Sequence, residues 1–452
     1  MVKLIQRPLE IFVLVLMLVF SGACAGPARA ADNEAAAHTQ LLPAPPEAAG
    51  MDAQRLARVT GQMRSLVDAG RLAGTVTIAA RHNRIVHYEA VGYHNVESGR
   101  PMEKDAIFRI FSMSKPVTGV ALMILYEEGA FSLSDPLAKY LPEFSAPVVY
   151  AGLDEAGEVV TEPAATPITI RHLMTHTAGL AYGTMMGTHP IDVMYSAANI
   201  FDPDSNLETF VEKVAAIPLK FQPGSVFNYS AAVEVQGRLV EVLSGQRFGD
   251  FLQTRLFSPL GMVDTGFHVP AEKVDRLAEV YHYDDDNRLV ARELYDGAIR
   301  FTEAQQLQAG GWGMVSTAMD YLRFSQMLLN GGELDGVRIL SPTTVKLMHT
   351  NHLPPGTEDM SPLLGGQPGS SFGLDFAIIE DPVENGSAFS RGEYYWGGAA
   401  GTWFWIDPVE DLVFVGMVQQ FAGQPQIPDV RGISKRAFYT AITKLNNGRG
   451  DP

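Results

Sequence analysis

Residues 111–128 read FSMSKPVTGVALMILYEE, and this stretch decides how the rest of the chain is read. Val117, Val120, Ala121, Leu122, Met123, Ile124 and Leu125 leave almost no polar face, so a helix here must be buried all round. Pro116 is tolerated only in a first turn, which places the helix start between Phe111 and Lys115. Ser112 and Lys115 stand at that start, three residues apart and therefore on one face. A serine hydroxyl is a weak nucleophile without a base. A lysine amine is a base when uncharged, a state favoured by apolar burial and by the positive end of a helix dipole. The Ser112 N–H at the same helix end would support an oxyanion. The Ser-x-x-Lys spacing recurs by chance; its position at the mouth of a buried helix is what singles it out.

Working outward, Asp52 caps a helix with Leu56, Val59, Met63, Leu66 and Val67 on one face, ended by Gly70. Strands are predicted at 75–80 and 85–91, with His82-Asn83 at the turn, and later at 374–379, 402–406 and 412–418. A last helix carries Ile433, Ala437, Ala441 and Leu445. Between the two ends the chain is mainly helical, over 117–128, 168–176, 205–216, 231–257 and 318–329. The predicted class is α/β: one antiparallel sheet built from both chain ends and flanked by helices, with an inserted mainly helical region. The sheet part spans 51–125 and 305–446 and the helical part 126–304, with a tether at 31–50 and a tail at 447–452.

Composition narrows the partners. At 46% hydrophobic and 19% charged residues the chain is a folded globular type. A net charge of -17 argues against nucleic acid. Cys24 is the single cysteine, so neither an internal disulfide nor a thiolate metal cage can form. Lys3 and Arg7, an apolar run from Ile11 to Phe20 and Ala28-Arg29-Ala30 form the pattern of a secretory signal over residues 1–30. That run is too short to span a bilayer. The expected location is therefore exported, periplasmic or secreted; a lipid anchor at Cys24, after Ser21-Gly22-Ala23, is the rival reading.

Two further segments carry chemistry. Pro223-Gly224 turns the chain toward a helix near Ala231, so Tyr229 sits at a helix start where its phenol can face a cleft and move protons; a packed boundary tyrosine is the plainer alternative. Tyr395-Trp396-Gly397-Gly398-Ala399-Ala400-Gly401 puts small residues before the 402–406 strand, where a ligand can approach the backbone. By itself it is a Gly-rich loop.

Taken together and in this order, these segments resemble the serine β-lactamase and penicillin-recognising superfamily, and most narrowly its class C-related branch, the family VIII carboxylesterases. The resemblance runs over roughly 50–445 and includes ITIRHLMTHTAGL at 168–180, Pro259-Leu260-Gly261-Met262 with Thr265 and Phe267, and Ala309-Gly310-Gly311-Trp312 before Ser316-Thr317-Ala318. It implies a β-lactamase-like fold, Ser112 as acylated nucleophile, Lys115 as its base and Tyr229 as proton relay. The N–H groups of Ser112 and Ala399 would form the oxyanion hole, with Trp396, Gly397 and Gly398 against substrate, and no metal or cofactor. Trp396 stands where β-lactamases open their third motif with Lys or His, and Ala231 where they have Asn. The cation and the amide that hold a charged lactam are therefore missing, and a neutral small-molecule ester with apolar parts fits better. A β-lactamase or D-alanyl-D-alanine carboxypeptidase is the rival within the superfamily; a non-catalytic cell-wall binding or scaffold protein is the rival outside it.

Four other patterns weigh less. Gly369-Ser370-Ser371-Phe372-Gly373 matches G-x-S-x-G, but that motif needs a strand before and a helix after the serine, and here a loop precedes and a strand follows. His172 and His176 lack the intervening glutamate of a zinc helix and are read as structural. Asp284-Asp285-Asp286-Asn287 lacks the glycine and distal glutamate of a calcium loop and is read as a hairpin turn. The closing Arg449-Gly450-Asp451 is read as a frayed tail.

Overall fold

The computed structural model describes residues 40–292, 300–354, 357, 368–386, 390–421 and 428–446; the leader, Cys24 and the tail lie outside the described residues. The sheet draws on both chain ends. The N-terminal part supplies β1 (Leu42–Pro43), β2 (Gly74–Arg81) and β3 (Arg84–Asn95). The C-terminal part supplies β4 (Ser370–Phe372), β5 (Ala377–Ile379), β6 (Tyr394–Gly397), β7 (Trp403–Asp407) and β8 (Leu412–Met417). Their order is β1-β3-β2-β8-β7-β6-β5-β4, antiparallel apart from β1 beside β3. The two halves meet where β2 pairs with β8, from Val76 opposite Met417 to Arg81 opposite Leu412.

Every residue of β2 is buried, as a central strand covered on both faces requires. Side chains alternate across the sheet. Phe404 of β7 meets Tyr321 of the helix Ala318–Leu329 on one face. Its neighbour Trp405 stacks on Phe414 and meets Phe438 of the helix Val430–Tyr439 on the other. The Asp52-capped helix, α1 (Ala53–Asp68), packs beside that last helix. The apolar run forms α2 (Ser114–Glu127), buried from Ser114 to Leu125 and packed on α3 (Ala232–Ser244).

Several boundaries differ from the sequence reading. Of the predicted 374–379 strand only Ala377–Ile379 is strand, because Asp375 takes a positive φ of 65° in the turn that joins it to β4, a strand that lies just before the predicted range. Tyr394–Gly397 is a strand, and the Gly-rich loop is reduced to the turn at 398–401. The 231–257 helix breaks at Gly245, which takes a left-handed cap at φ 69°. The last helix stops at Tyr439, leaving Leu445 exposed. The 126–304 region also holds two hairpins, Val148–Leu153 with Val159–Pro163 and Tyr281–Tyr283 with Leu289–Ala291; the second closes on Asp284–Asn287 as expected.

The tether does not extend to residue 50. Leu41 and Ala49 are buried, β1 pairs with β3, and buried Arg81 holds the segment. Its guanidinium donates to the carbonyls of Ala49, Lys444 and Glu410 and to Glu410 Oε2 at 2.6 Å. One side chain thus ties both chain ends to the central strand. Arg81→Ala is expected to lower stability by about 3–5 kcal/mol, since it leaves a buried carboxylate and several carbonyls unpaired. Urea unfolding of the variant checks this, and a loss below about 1 kcal/mol would remove the clamp from the account.

Candidate active site

Ser112 lies in a short 3-10 turn, Phe111–Met113, that runs directly into α2. Phe111 takes a positive φ of 43°, a conformation that a bulky residue adopts only under constraint. Its ring is wedged edge-on against Phe301 and Phe421, at 6.1 and 5.4 Å between centroids. This turn presents Ser112 half-buried while its neighbours Met113 and Ser114 are fully enclosed.

The three sequence-predicted side chains meet here. The Tyr229 hydroxyl lies 2.8 Å from Ser112 Oγ and donates to it. Lys115 Nζ lies 3.4 Å from the same oxygen and donates to the Gly311 carbonyl at 2.8 Å. The lysine is wholly buried, with its amine 4.4 Å from the centre of the Tyr229 ring and 5.4 Å from that of Tyr182. Tyr182 and Tyr229 stack at 5.6 Å, and the His176 ring backs Tyr229 at 4.7 Å. His176 Nδ1 accepts the Ser230 N–H, while His172 belongs to the capping box of the helix Ile170–Met174. The two histidines therefore serve different elements, as the structural reading requires.

The end of β6 borders the nucleophile turn. A Cβ on Gly398 would lie 2.4 Å from the Ile110 carbonyl, so only glycine lets this strand end approach so closely. The turn is closed by Gly398 N–H to Thr402 O at 2.7 Å and Gly401 N–H to Gly398 O at 2.9 Å. Ala399 is exposed at its tip, outside both bonds. Gly397 is half-buried at the strand end. Trp396, expected to lie against substrate, is almost wholly enclosed. Only 5% of it is exposed, because its ring is held between Tyr229 and Phe372 at 5.7 and 5.5 Å. Partly exposed aromatic surface comes instead from Phe201 and Trp312, which meet at 5.7 Å and join Tyr182 through Phe201 at 5.5 Å.

Ser371, the G-x-S-x-G serine, sits in β4 and donates to Glu380 Oε1 at 3.1 Å. Ser114 Oγ accepts the Met314 N–H at 3.2 Å.

Sequence reading missed two buried acids behind α2. Glu234, on the first turn of α3, accepts the Gly311 N–H at 3.1 Å. Asp375 accepts from Gln236 at 3.1 Å and lies against Gly119. Burial pushes both carboxyls above their usual range, well above it for Asp375, and the nearby Lys115 opposes the shift in each. For Glu234 a signal existed: it is the single polar residue in the run Ala231–Val235.

A model of the family described as Beta-lactamase matches residues 59–435. The chain belongs to the Beta-lactamase family. Protein Rv1367c of Mycobacterium tuberculosis is 37% identical over 365 residues, 79% of this chain and 88% of that protein. Esterase EstB of Burkholderia gladioli is 32% identical over 379 residues, covering 79% and 89% respectively. Among solved structures, EstCE1, a hydrolase with promiscuous acyltransferase activity, superposes with a TM-score of 0.72 at 30% identity, over 86% of this chain and 99% of that one. This member of the Beta-lactamase family thus has the fold and the serine hydrolase and esterase kinship expected from its sequence, and an acyltransferase kinship that the sequence reading did not name.

Proposed function

We propose that this chain cleaves neutral carboxylic esters through an acyl-enzyme on Ser112. The observation that carries the reading is the convergence of the Tyr229 hydroxyl and the Lys115 amine on one serine oxygen, at 2.8 and 3.4 Å. Lys115, uncharged, removes the Ser112 proton, directly or through Tyr229, as Oγ bonds to the ester carbonyl carbon. The developing oxyanion is met by the N–H groups of Ser112 and Ala399. Tyr229 then returns the proton to the leaving alkoxide, and water opens the acyl-enzyme by the reverse relay. No step calls for a metal or cofactor. The missing cation and amide at Trp396 and Ala231 support esters over charged lactams or D-alanyl peptides as substrate, and the Phe201–Trp312 surface supports apolar groups.

A second reading, transfer of the acyl group to an alcohol in place of water, is favoured by the same aromatic surface, joined to Tyr229 through Tyr182, and by the likeness to EstCE1. In either case the chain is exported after loss of residues 1–30, or held at a membrane by lipid on Cys24. A fluorophosphonate probe on protein purified from an exporting host tests both parts in one mass spectrum. The label is expected on the peptide carrying Ser112, and the mature chain is expected to begin at Ala31. A label on Ser371 or none at all would overturn the site. A chain beginning at Met1 would overturn export, and one beginning with lipidated Cys24 would replace secretion by anchoring.

A further inference from the structure

A carboxyl without solvent, in the heart of an apolar helix turn, needs a partner that repays its desolvation. Glu234 is such a group: none of it is exposed, and Ala232, Val233 and Val235 around it are buried too. Its Oε1 takes the Gly311 N–H at 3.1 Å, and a Cβ on Gly311 would lie 2.6 Å from Oε1 and 3.1 Å from Oε2. The carboxyl therefore lies across the Gly311 Cα, and a side chain at 311 would have to displace it. The carbonyl of that same residue receives the Lys115 amine at 2.8 Å. Glu234 Oε2 is buried with no hydrogen-bond partner among the described residues. Such an oxygen is tolerable beside an ammonium, the form Lys115 takes once it has accepted the Ser112 proton, and Lys115 is the basic group that acts on it.

We propose that Glu234 is the positioning residue for the Lys115 amine: it fixes Gly311, which holds the amine against Ser112, and it supplies the countercharge when that amine becomes an ammonium. The inference rests on the acyl-enzyme reading above. In the acylation step the Ser112 O–H bond breaks, an N–H bond forms on Lys115 and Oγ bonds to the acyl carbon. A positive charge then appears where water has no access, and the carboxyl offsets it until the proton leaves with the alkoxide. The other titratable groups around the amine are tied elsewhere or carry no charge. Tyr182 and Tyr229 present ring faces and His176 is bonded to Ser230; Asp375 is bonded through Oδ1 to Gln236 and leaves Oδ2 unpartnered among the described residues, but burial pushes its carboxyl well up, further toward the neutral acid than that of Glu234. Burial pushes the Tyr182 phenol well up and the His176 imidazole well down, so both stay neutral at ordinary pH.

The test is the pH dependence of fluorophosphonate labelling and of kcat/KM in Glu234→Gln and Glu234→Asp, with thermal melting to confirm folding. The amide of Glu234→Gln still accepts the Gly311 N–H but carries no charge. Its plateau is expected to fall about tenfold, and its acid limb to move about one pH unit lower, because an ammonium without its neighbouring carboxylate releases its proton more readily. Glu234→Asp keeps the charge and is expected to keep the wild-type midpoint at a reduced plateau. A folded Glu234→Gln whose acid limb coincides with wild type, at any plateau, overturns the inference while leaving the acyl-enzyme reading standing. A wild-type chain that takes no label at any pH overturns both.

Discussion

Ser112→Ala is expected to reduce kcat/KM for p-nitrophenyl esters by about four orders of magnitude or more and to abolish fluorophosphonate labelling, whereas Ser371→Ala stays within about threefold of wild type. The difference follows from what each hydroxyl has around it. Ser112 Oγ is half-exposed, accepts from Tyr229 and lies within reach of a buried amine. Alanine removes the atom that forms the covalent bond, while the turn is held independently by Phe111 and by Ile110, whose carbonyl accepts from Thr402 Oγ1 at 3.3 Å. The melting temperature is therefore expected to change little. Ser371 gives its proton to Glu380 in an edge strand and is 5% exposed, so no substrate carbonyl can reach it in line. Retention of more than about a tenth of the activity by Ser112→Ala, measured on protein freed of contaminating esterase, would remove Ser112 from the mechanism.

Lys115→Arg is expected to lose about three orders of magnitude in the rate of acylation. A guanidinium keeps a positive charge and has donors for the Gly311 carbonyl, but it does not deprotonate at any working pH and so offers no base. It is also larger than a cavity bounded by the Tyr182 and Tyr229 rings accepts, so a fall in melting temperature is expected with it. Lys115→Met separates the two effects. It preserves volume and removes the buried amine, so it is expected to be as inactive as Lys115→Arg without the overpacking, its melting temperature falling only through loss of the bond to the Gly311 carbonyl and of the group that faces Glu234. Stopped-flow measurement of the first turnover reads acylation directly. If Lys115→Met acylates at more than about a hundredth of the wild-type rate, Tyr229 alone would have to be the base.

What was legible in the sequence and what was not divides on physical lines. The Ser112–Lys115 helix was legible because its apolar residues leave no solvent face and Pro116 fixes its start. Tyr229 was legible because Pro223-Gly224 marks the turn before a helix. The β2–β3 hairpin and the β7–β8 pair were legible from their alternation and turn residues, and their placement in one sheet from the match of the two chain ends. The buried acids were not read: Glu234 had a signal in its apolar flanks, but a carboxylate on a helix passes for solvent-facing surface until α2 is packed over it, and Asp375, in the turn between β4 and β5, is enclosed only by the approach of Gly119. Trp396 was assigned an outward role because sequence gives the composition of a strand end but not which face its ring takes. The break at Gly245 was visible as a glycine within a long helical pattern, whereas the end at Tyr439 was masked by Ala441 and Leu445, which continue the helical spacing. Residues 41–50 looked like a linker because alanine and proline carry little patterning, and only the distant Arg81 explains their order.

The pairing of β2 with β8 also bears on how the molecule comes into being. A nascent chain emerging from the ribosome delivers β2 and β3 early, and with them Ser112, but one edge of β2 then has no partner until the segment around Leu412–Met417 is synthesised. Closing so long a loop is slow, and an open apolar edge in the interval is a template for pairing with other copies. Whatever shields that edge during the wait therefore bears on yield, separately from the stability of the finished sheet. The turn at 398–401 that borders Ser112 lies on the same late-made segment, so that side of the pocket is among the last parts of the chain to be synthesised.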